Sequence, residues 1–326
     1  MRTWLGFLAL AALGACGGTT TAPTDVQAVD DAAADADVGA ETAADAADAE
    51  AGTDAVSLPA PHTDTLGGAR PVTTVVPDGW TPTQKWPLIL VLHGYGASGE
   101  AQTALLGIEA RATQYGFVTL APDGTRDPSG SLFWNATPAC CDFGNVVVDD
   151  VAYLTGLIDD AIAQLAVDPA RVYVVGHSNG GFMAYRLACE KSAKINAVAV
   201  IAGAVNPDAS VCGTPKPVNV LHIHGTADAT IAYNGGTIEG AAFPGALESI
   251  GQWLTRDGCD VTPTTAGVND FDSIVAGQET TRLQYPNCPN GIQVEHWKMV
   301  GSGHIPAFTD EFRDALATWL VGQKRP

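Results

Sequence analysis

The residues whose types and spacing most clearly indicate chemical reactivity are 172–182, which read VYVVGHSNGGF. A short β-branched run comes first, a G-x-S-x-G pattern spans residues 176–180, and a helical pattern follows. A serine on a tight strand-to-helix turn needs neighbours without side chains, because the chain passes close to itself there. The pattern therefore predicts that Ser178 is a nucleophile on such a turn. The alternative is an ordinary glycine-rich turn.

A serine hydroxyl needs a base to remove its proton, and the base needs an acid to orient it. His304 lies in Gly301–Ile305, after the last apolar run and before the terminal helical pattern. Asp228 follows the apolar run at 218–223. We predict His304 as base and Asp228 as acid, in the chain order serine, aspartate, histidine. The alternatives are a structural loop histidine and an aspartate that caps its own turn.

The negative charge that develops on a substrate carbonyl oxygen needs fixed N–H donors. The backbone N–H of Asn179, directly after the predicted nucleophile, is one candidate. The other lies in the loop His93–Gly96, where Tyr95 N–H is the first choice and Gly96 N–H the second. We expect His93 itself to be a structural hydrogen-bonding residue.

The elements that must position these residues are indicated by short apolar runs bounded by Gly, Pro or Asp. They predict strands over 73–76, 88–92, 117–121, 172–175, 197–202, 218–223 and 294–300. Helical spacing predicts helices over 101–115, 149–166, 182–191, 247–256 and 311–321. This alternation predicts an α/β fold with a doubly wound, mostly parallel sheet covered by helices on both faces. Ligands bind such sheets at the carboxyl ends of the strands.

The first 65 residues have a different composition. Residues 1–16 combine Arg2, a short apolar run and small residues before Cys16, which predicts a lipoprotein signal peptide with lipidation at Cys16. An ordinary cleaved signal with an incidental cysteine is the alternative. Residues 17–65 are rich in Ala, Thr and Asp and contain no Lys or Arg, so we expect a disordered acidic tether. The catalytic domain is predicted over 66–326.

Charge and cysteine content restrict the partners. The net charge is −20 and basic clusters are absent from the sequence, so nothing favours nucleic-acid binding. Contact with a membrane is expected only through the N-terminal lipid. Setting aside Cys16, the six remaining cysteines of an exported chain favour disulfides. We predict Cys259 paired with Cys288, and Cys140 and Cys141 paired with Cys189 and Cys212 in either order, because two adjacent cysteines can bond each other only in a strained ring.

Five separated motifs resemble one group of proteins. HGYGASGE, WNATPACC with VDDVAYL, VGHSNGGFMAYRLACE, VLHIHGTAD and GSGHIPAF are together similar to the polyhydroxybutyrate depolymerase/feruloyl esterase group of secreted hydrolases. The resemblance implies an α/β-hydrolase fold, a triad of Ser178, Asp228 and His304, and ester cleavage without a metal or organic cofactor. Many members follow the catalytic histidine with tryptophan and proline, whereas here Ile305 follows His304.

We expect the substrate to be a carboxylic ester, which can be part of a polymer. We expect it to be cleaved through an acyl-enzyme, as in a polyhydroxybutyrate depolymerase. Feruloyl or acetylxylan ester cleavage is the alternative; a peptidase and a non-catalytic binding lipoprotein rank lower. Trp134 either contacts the acyl group or packs beneath the loop that contains it. The enzyme is expected to be exported and lipid-anchored to the cell envelope or extracellular. The sequence leaves the oligomeric state open.

Overall fold

A computed structural model describes residues 62–213 and 215–324 of the chain. The predicted signal peptide, the lipidation at Cys16 and the tether up to residue 61 lie outside these described residues. The folded domain begins earlier than predicted, because Thr65 already pairs with Thr73 in a sheet. The Thr63 hydroxyl also contacts Gln164. The last few residues assigned to the tether therefore belong to the domain.

Fourteen strands occur in the described residues. They are β1 Thr65–Leu66, β2 Val72–Val75, β3 Trp86–Leu92, β4 Val118–Leu120, β5 Thr125–Arg126, β6 Leu132–Phe133, β7 Val167–His177, β8 Ala197–Ile201, β9 Asn219–Gly225, β10 Gly235–Ile238, β11 Ala241–Pro244, β12 Thr264–Asn269, β13 Thr280–Tyr285 and β14 Val294–Met299. Ten of them form one sheet in the order β1-β2-β4-β3-β7-β8-β9-β14-β13-β12. The six central strands from β4 to β14 run parallel, and the outer ones pair antiparallel.

Six α-helices accompany these strands in the described residues. They are α1 Gly99–Leu106, α2 Ala112–Tyr115, α3 Asp150–Gln164, α4 Asn179–Glu190, α5 Ala246–Asp257 and α6 Asp310–Gly322. The predicted helix over 101–115 is wrong in one respect, because Gly107 adopts a left-handed conformation that ends α1. Within 62–213 and 215–324, no helix combines the length and apolar content needed to cross a bilayer.

The sheet is buried on both faces, as the continuous apolar strands predict. In β3, Leu88 and Leu90 belong to a core that also contains Phe182 of α4, whereas Ile89 and Val91 face a second core with Phe312 of α6. Successive side chains of a strand point to opposite faces, so each central strand contributes to both cores. The predicted α/β-hydrolase architecture, with helices on both faces of a mostly parallel sheet, is confirmed.

All seven predicted strands are present, with ends that differ by a few residues. The antiparallel strands β12 and β13 at the sheet edge were not predicted. Their residues are mostly exposed or half-buried, and their mixed polar sequences lack the continuous apolar run that identifies a buried strand. The short hairpins β5-β6 and β10-β11 were also not predicted, because strands of two to four residues are too short to contain a recognisable apolar run.

The disulfides correct part of the predicted pairing. Cys259 bonds Cys288, as predicted. Cys189, near the end of α4, bonds Cys212 in the 3₁₀ turn Ala209–Cys212, and Cys140 bonds Cys141. The prediction for these four cysteines is therefore wrong. Cys189 lies next to Cys212 in the fold, and their Cα atoms are 5.0 Å apart. The adjacent pair instead lies against α4, where Cys140 Sγ accepts a hydrogen bond from the Asn179 amide.

Candidate active site

The G-x-S-x-G segment forms the turn between β7 and α4. Ser178 has φ 54° and ψ −121°, a conformation that costs a non-glycine residue about 1–3 kcal/mol. A Cβ atom on Gly176 would lie 2.0 Å from Gly180 O, and a Cβ on Gly180 would lie 2.2 Å from Leu92 O. Neither position can hold a side chain without moving the backbone. The two glycines thus allow the close approach of β3, β7 and α4 that holds Ser178 in its turn.

The three residues predicted to act together lie within hydrogen-bond distance of one another. His304 Nε2 is 3.0 Å from Ser178 Oγ, and His304 Nδ1 is 2.7 Å from Asp228 Oδ2. They come from the turn after β7, the loop after β9 and the loop after β14, all at the carboxyl edge of the sheet. Because a carboxylate only accepts, Nδ1 carries a proton toward Asp228, which leaves Nε2 of the neutral ring free to accept the serine proton.

Asp228 is held as an anion. Its Oδ1 accepts hydrogen bonds from Thr230 N and Ile231 N at 2.8 Å each. Burial opposes ionisation of this carboxyl, but hydrogen bonds from His224 and His304 outweigh burial and hold its pKa well below the usual value. A fixed, ionised carboxylate can stabilise a positive charge on the His304 ring after proton transfer.

The two first-choice oxyanion donors, Tyr95 N–H and Asn179 N–H, have no protein acceptor among the described residues. The second-choice donor, Gly96 N–H, is already used, because it donates to Leu132 O at 2.8 Å. The loop is close to the serine, since a Cβ on Gly94 would lie 3.4 Å from Ser178 Cβ. Both first-choice donors are thus available to an oxygen bound beside Ser178.

His93 fixes the loop that contains Tyr95. The ring is fully buried, Nε2 accepts from Gly124 N at 2.9 Å, and Nδ1 donates to Gly94 O at 2.7 Å. Burial lowers the pKa of His93, so the neutral ring that these partners require is also the favoured one. These contacts describe a structural hydrogen-bonding residue.

Trp134 cannot contact a substrate in this structure. Its side chain is fully buried, and its indole N–H donates to His93 O at 3.1 Å. The predicted substrate contact is wrong, and the packing alternative describes this residue. The sequence could not separate the two, because an aromatic residue in a loop can either face solvent or lie beneath it. Asn179 exchanges two hydrogen bonds with the Trp134 backbone, which ties the 134–141 segment to the start of α4.

His177 has a contact that the sequence did not predict. Its Nε2 donates to the backbone oxygen of His304 at 2.8 Å, and the two rings lie 4.8 Å apart. Burial, followed by the nearby His304, lowers the pKa of His177 to about 4. A neutral His177 therefore anchors the loop that presents the candidate base. Its place directly before Ser178 was the only available signal in the sequence.

The described residues also enclose a cavity of about 560 Å³. The 135–147 loop, α4, α5 and the Ala209–Cys212 turn contribute to its lining; Ser178, Asp228 and His304 do not. Phe143 lines it, is 44% exposed and packs against the ring of Tyr95 at 5.2 Å. The cavity is therefore linked to the loop that holds one candidate oxyanion donor.

Comparisons with known proteins show what the domain is similar to. A family model described as phospholipase/carboxylesterase matches residues 81–242. Feruloyl esterase B of Piromyces equi is 28% identical over 72% of this chain and 42% of its own length, and feruloyl esterase C of Emericella nidulans is 31% identical over 57% and 62%. This chain thus spans less than two thirds of either relative. The solved acetyl xylan esterase from Aspergillus awamori superposes with TM-score 0.56 at 14% identity, over 77% of this chain and 94% of that one.

Proposed function

We propose that the described domain, which has the α/β-hydrolase fold, is a serine hydrolase that cleaves carboxylic esters through an acyl-enzyme on Ser178. One observation carries the proposal: the hydrogen-bonded series Ser178, His304 and Asp228 lies beside two N–H groups without a protein acceptor. The proposed nucleophile, base, acid and oxyanion donors are all of the types that acyl transfer requires.

In the first step, Ser178 Oγ attacks the ester carbonyl while His304 Nε2 accepts the hydroxyl proton. The carbonyl oxygen becomes an anion that Tyr95 N–H and Asn179 N–H stabilise. The ionised Asp228 stabilises the positive charge that forms on the His304 ring. The C–O bond to the alcohol then breaks, and His304 Nε2 gives its proton to the leaving oxygen.

In the second step, water replaces the alcohol. His304 Nε2 removes a proton from the water, whose oxygen attacks the acyl carbon, and the same two N–H groups stabilise the new oxyanion. Collapse of this intermediate breaks the bond to Ser178 Oγ, which regains its proton from His304. The products are an alcohol and a carboxylic acid, and the enzyme returns to its starting state.

For the substrate we propose an ester carried by a large extracellular molecule, with feruloyl or acetyl esters of plant cell-wall polysaccharide as the first candidates. The names of the relatives, feruloyl esterases B and C, support this class. A polyhydroxybutyrate-type polyester is the second candidate, supported by the five sequence motifs. The cavity bordered by Phe143 would give either kind of polymer room beyond the reacting ester.

A substrate panel separates these candidates. We expect kcat/KM on methyl ferulate or acetylated xylan to exceed that on hydroxybutyrate trimer by about tenfold or more, because a matched pocket discriminates by at least this factor. A nitroanilide of the same acyl group should react more slowly than its nitrophenyl ester. The Ser178→Ala variant serves as the control for each substrate. Faster turnover of the trimer would select the polyester, and faster turnover of the anilide would indicate a peptidase.

We also propose export with a lipid on Cys16. The support is the sequence pattern of residues 1–16 together with the cysteine content of the domain. Radiolabelled palmitate should be incorporated by cells that express the full chain and not by cells that express its Cys16→Ser variant. Cys259→Ser is a suitable control, because it removes a different cysteine and should retain the label. Equal labelling of the Cys16→Ser variant would refute lipidation at this residue.

A further inference from the structure

A chain of buried hydrogen bonds leads from the core of the domain to Asp228. Tyr185 Oη lies 2.8 Å from His222 Nδ1, and His222 Nε2 lies 3.1 Å from His224 Nδ1. His224 Nε2 is 2.8 Å from Ile231 O and 3.5 Å from Asp228 Oδ2. His222 and His224 project from the same face of β9 toward α4 and are almost completely buried. The triad does not account for either residue.

The donor and the acceptor of each hydrogen bond in this series can be assigned from its end at Ile231 O. Ile231 O can only accept, so His224 Nε2 carries a proton. In an uncharged His224 ring, Nδ1 must then accept, and His222 Nε2 donates to it. His222 Nδ1 in turn accepts from the Tyr185 hydroxyl. Burial, with smaller contributions from His224 and His296, lowers the pKa of His222 well below its usual value, so a neutral ring is favoured there.

The series of hydrogen bonds ends near Asp228 Oδ2, the same oxygen that binds His304, the candidate base. Asp228 Oδ1 is occupied by two backbone N–H groups, so His224 and His304 both face Oδ2. A donor on a carboxylate oxygen draws charge from it and weakens its hold on any other donor. His224 is thus placed to influence how strongly Oδ2 holds a protonated His304.

We propose that His224 is a positioning residue for the reaction: its Nε2–H, which donates to Ile231 O at 2.8 Å, also lies 3.5 Å from Asp228 Oδ2 and weakens the hold of that oxygen on a protonated His304. The hydrogen bonds from Tyr185 through His222 keep the His224 proton on the side that faces Asp228. This inference rests on the proposed ester hydrolysis at Ser178. It gives a function to His222 and His224, the two histidines of the VLHIHGTAD motif.

Other groups that can carry a charge face the same region. Around His224 and Asp228 lie the titratable or charged side chains of His177 from β7, Tyr185 from α4, His222 from β9, Tyr233 from the loop before β10, His296 and Lys298 from β14, and His304. Burial lowers the pKa of His296 to about 4 and raises that of Tyr233 to about 12. Neither group therefore changes charge between pH 5 and 9.

The test is the pH profile of kcat/KM on a nitrophenyl ester. In His224→Leu the carboxylate loses the neighbouring Nε2–H and holds the His304 proton more strongly. We therefore expect the pH at which activity is half lost on the acidic side to rise by about 0.5 unit. Activity at the optimum should fall about tenfold, the lower end of the loss found when a hydrogen-bond partner of a metal-ligating histidine is removed. His224→Gln, whose amide can still donate toward Asp228, should restore the original midpoint.

His296→Gln is the matched control, since this buried histidine contacts His222 O and Tyr233 but not the triad. It should leave the midpoint unchanged. If His224→Leu does not fold, as judged by circular dichroism, Tyr185→Phe is tested instead. This variant removes only the hydroxyl at the far end of the hydrogen-bonded series. A smaller shift in the same direction is expected. An unmoved midpoint in the folded variants, or an equal shift in His296→Gln, would overturn the proposal.

The two proposals fail in different ways. If Ser178→Ala retains normal ester turnover, the proposed function fails. If Ser178→Ala is inactive while His224→Leu keeps the midpoint of the unmodified enzyme, only the inference about His224 fails.

Discussion

Ser178→Ala should lower kcat/KM on a nitrophenyl ester by about 10⁴–10⁶-fold, the loss found when a triad nucleophile is removed. Without the hydroxyl no acyl-enzyme can form, and the two N–H donors would retain only a small part of the acceleration. The melting temperature should change little, because the change removes one oxygen from a residue whose backbone is held by β7 and α4. Steady-state kinetics and a thermal melt measure both effects.

Ser302→Ala is the matched control for this change. Ser302 is also buried and lies two residues before His304, but its hydroxyl has no hydrogen-bond partner among the described residues. Its removal should leave kcat/KM within about threefold of the starting value, as expected for a change outside the reacting groups. Turnover by Ser178→Ala that matches the Ser302→Ala enzyme would contradict the assignment of the nucleophile.

Asp228→Asn should lower kcat by about 10⁴-fold, with KM nearly unchanged. The substituted side chain keeps an oxygen for Thr230 N–H and Ile231 N–H, which places its NH₂ group toward His304 Nδ1. An NH₂ group donates, so Nδ1 must accept and the ring proton moves to Nε2. The ring then presents a proton to Ser178 instead of a lone pair, and it cannot act as a base.

The control for this prediction is Asp257→Asn, which changes another buried aspartate far from the triad in sequence and in a different element, the end of α5. It should retain activity. Nuclear magnetic resonance of the imidazole nitrogens would detect the altered tautomer in Asp228→Asn directly. A variant that kept its kcat, or lost it with the original tautomer intact, would contradict the orienting function proposed for Asp228.

The sequence was sufficient for the features that short segments determine. The elbow around Ser178 could be predicted because its glycines and flanking apolar residues are adjacent in the chain. Asp228 and His304 could be predicted because each follows a buried strand, and carboxyl ends of parallel strands meet at one edge of a sheet. The apolar runs of the central strands likewise predicted a doubly wound, mostly parallel sheet, and the resemblance of the five motifs implied the α/β-hydrolase fold.

Features that depend on contacts between distant segments could not be predicted. Trp134 is fully buried and its indole N–H donates to the backbone oxygen of His93, 41 positions away. The pairing of Cys189 with Cys212 depends on where the 3₁₀ turn lies against α4. The hydrogen bond between Tyr185 and His222 joins a helix to a strand, and nothing in the sequence indicated it.

The most direct test of the central claim is to map where a fluorophosphonate probe attaches. If Ser178 is activated by His304, the intact protein should gain the mass of one probe, and peptide mass spectrometry should place it on Ser178. Denatured protein and the Ser178→Ala variant should remain unlabelled. An enzyme that hydrolyses esters while its label lies on another residue, or while it takes no label, would contradict the account.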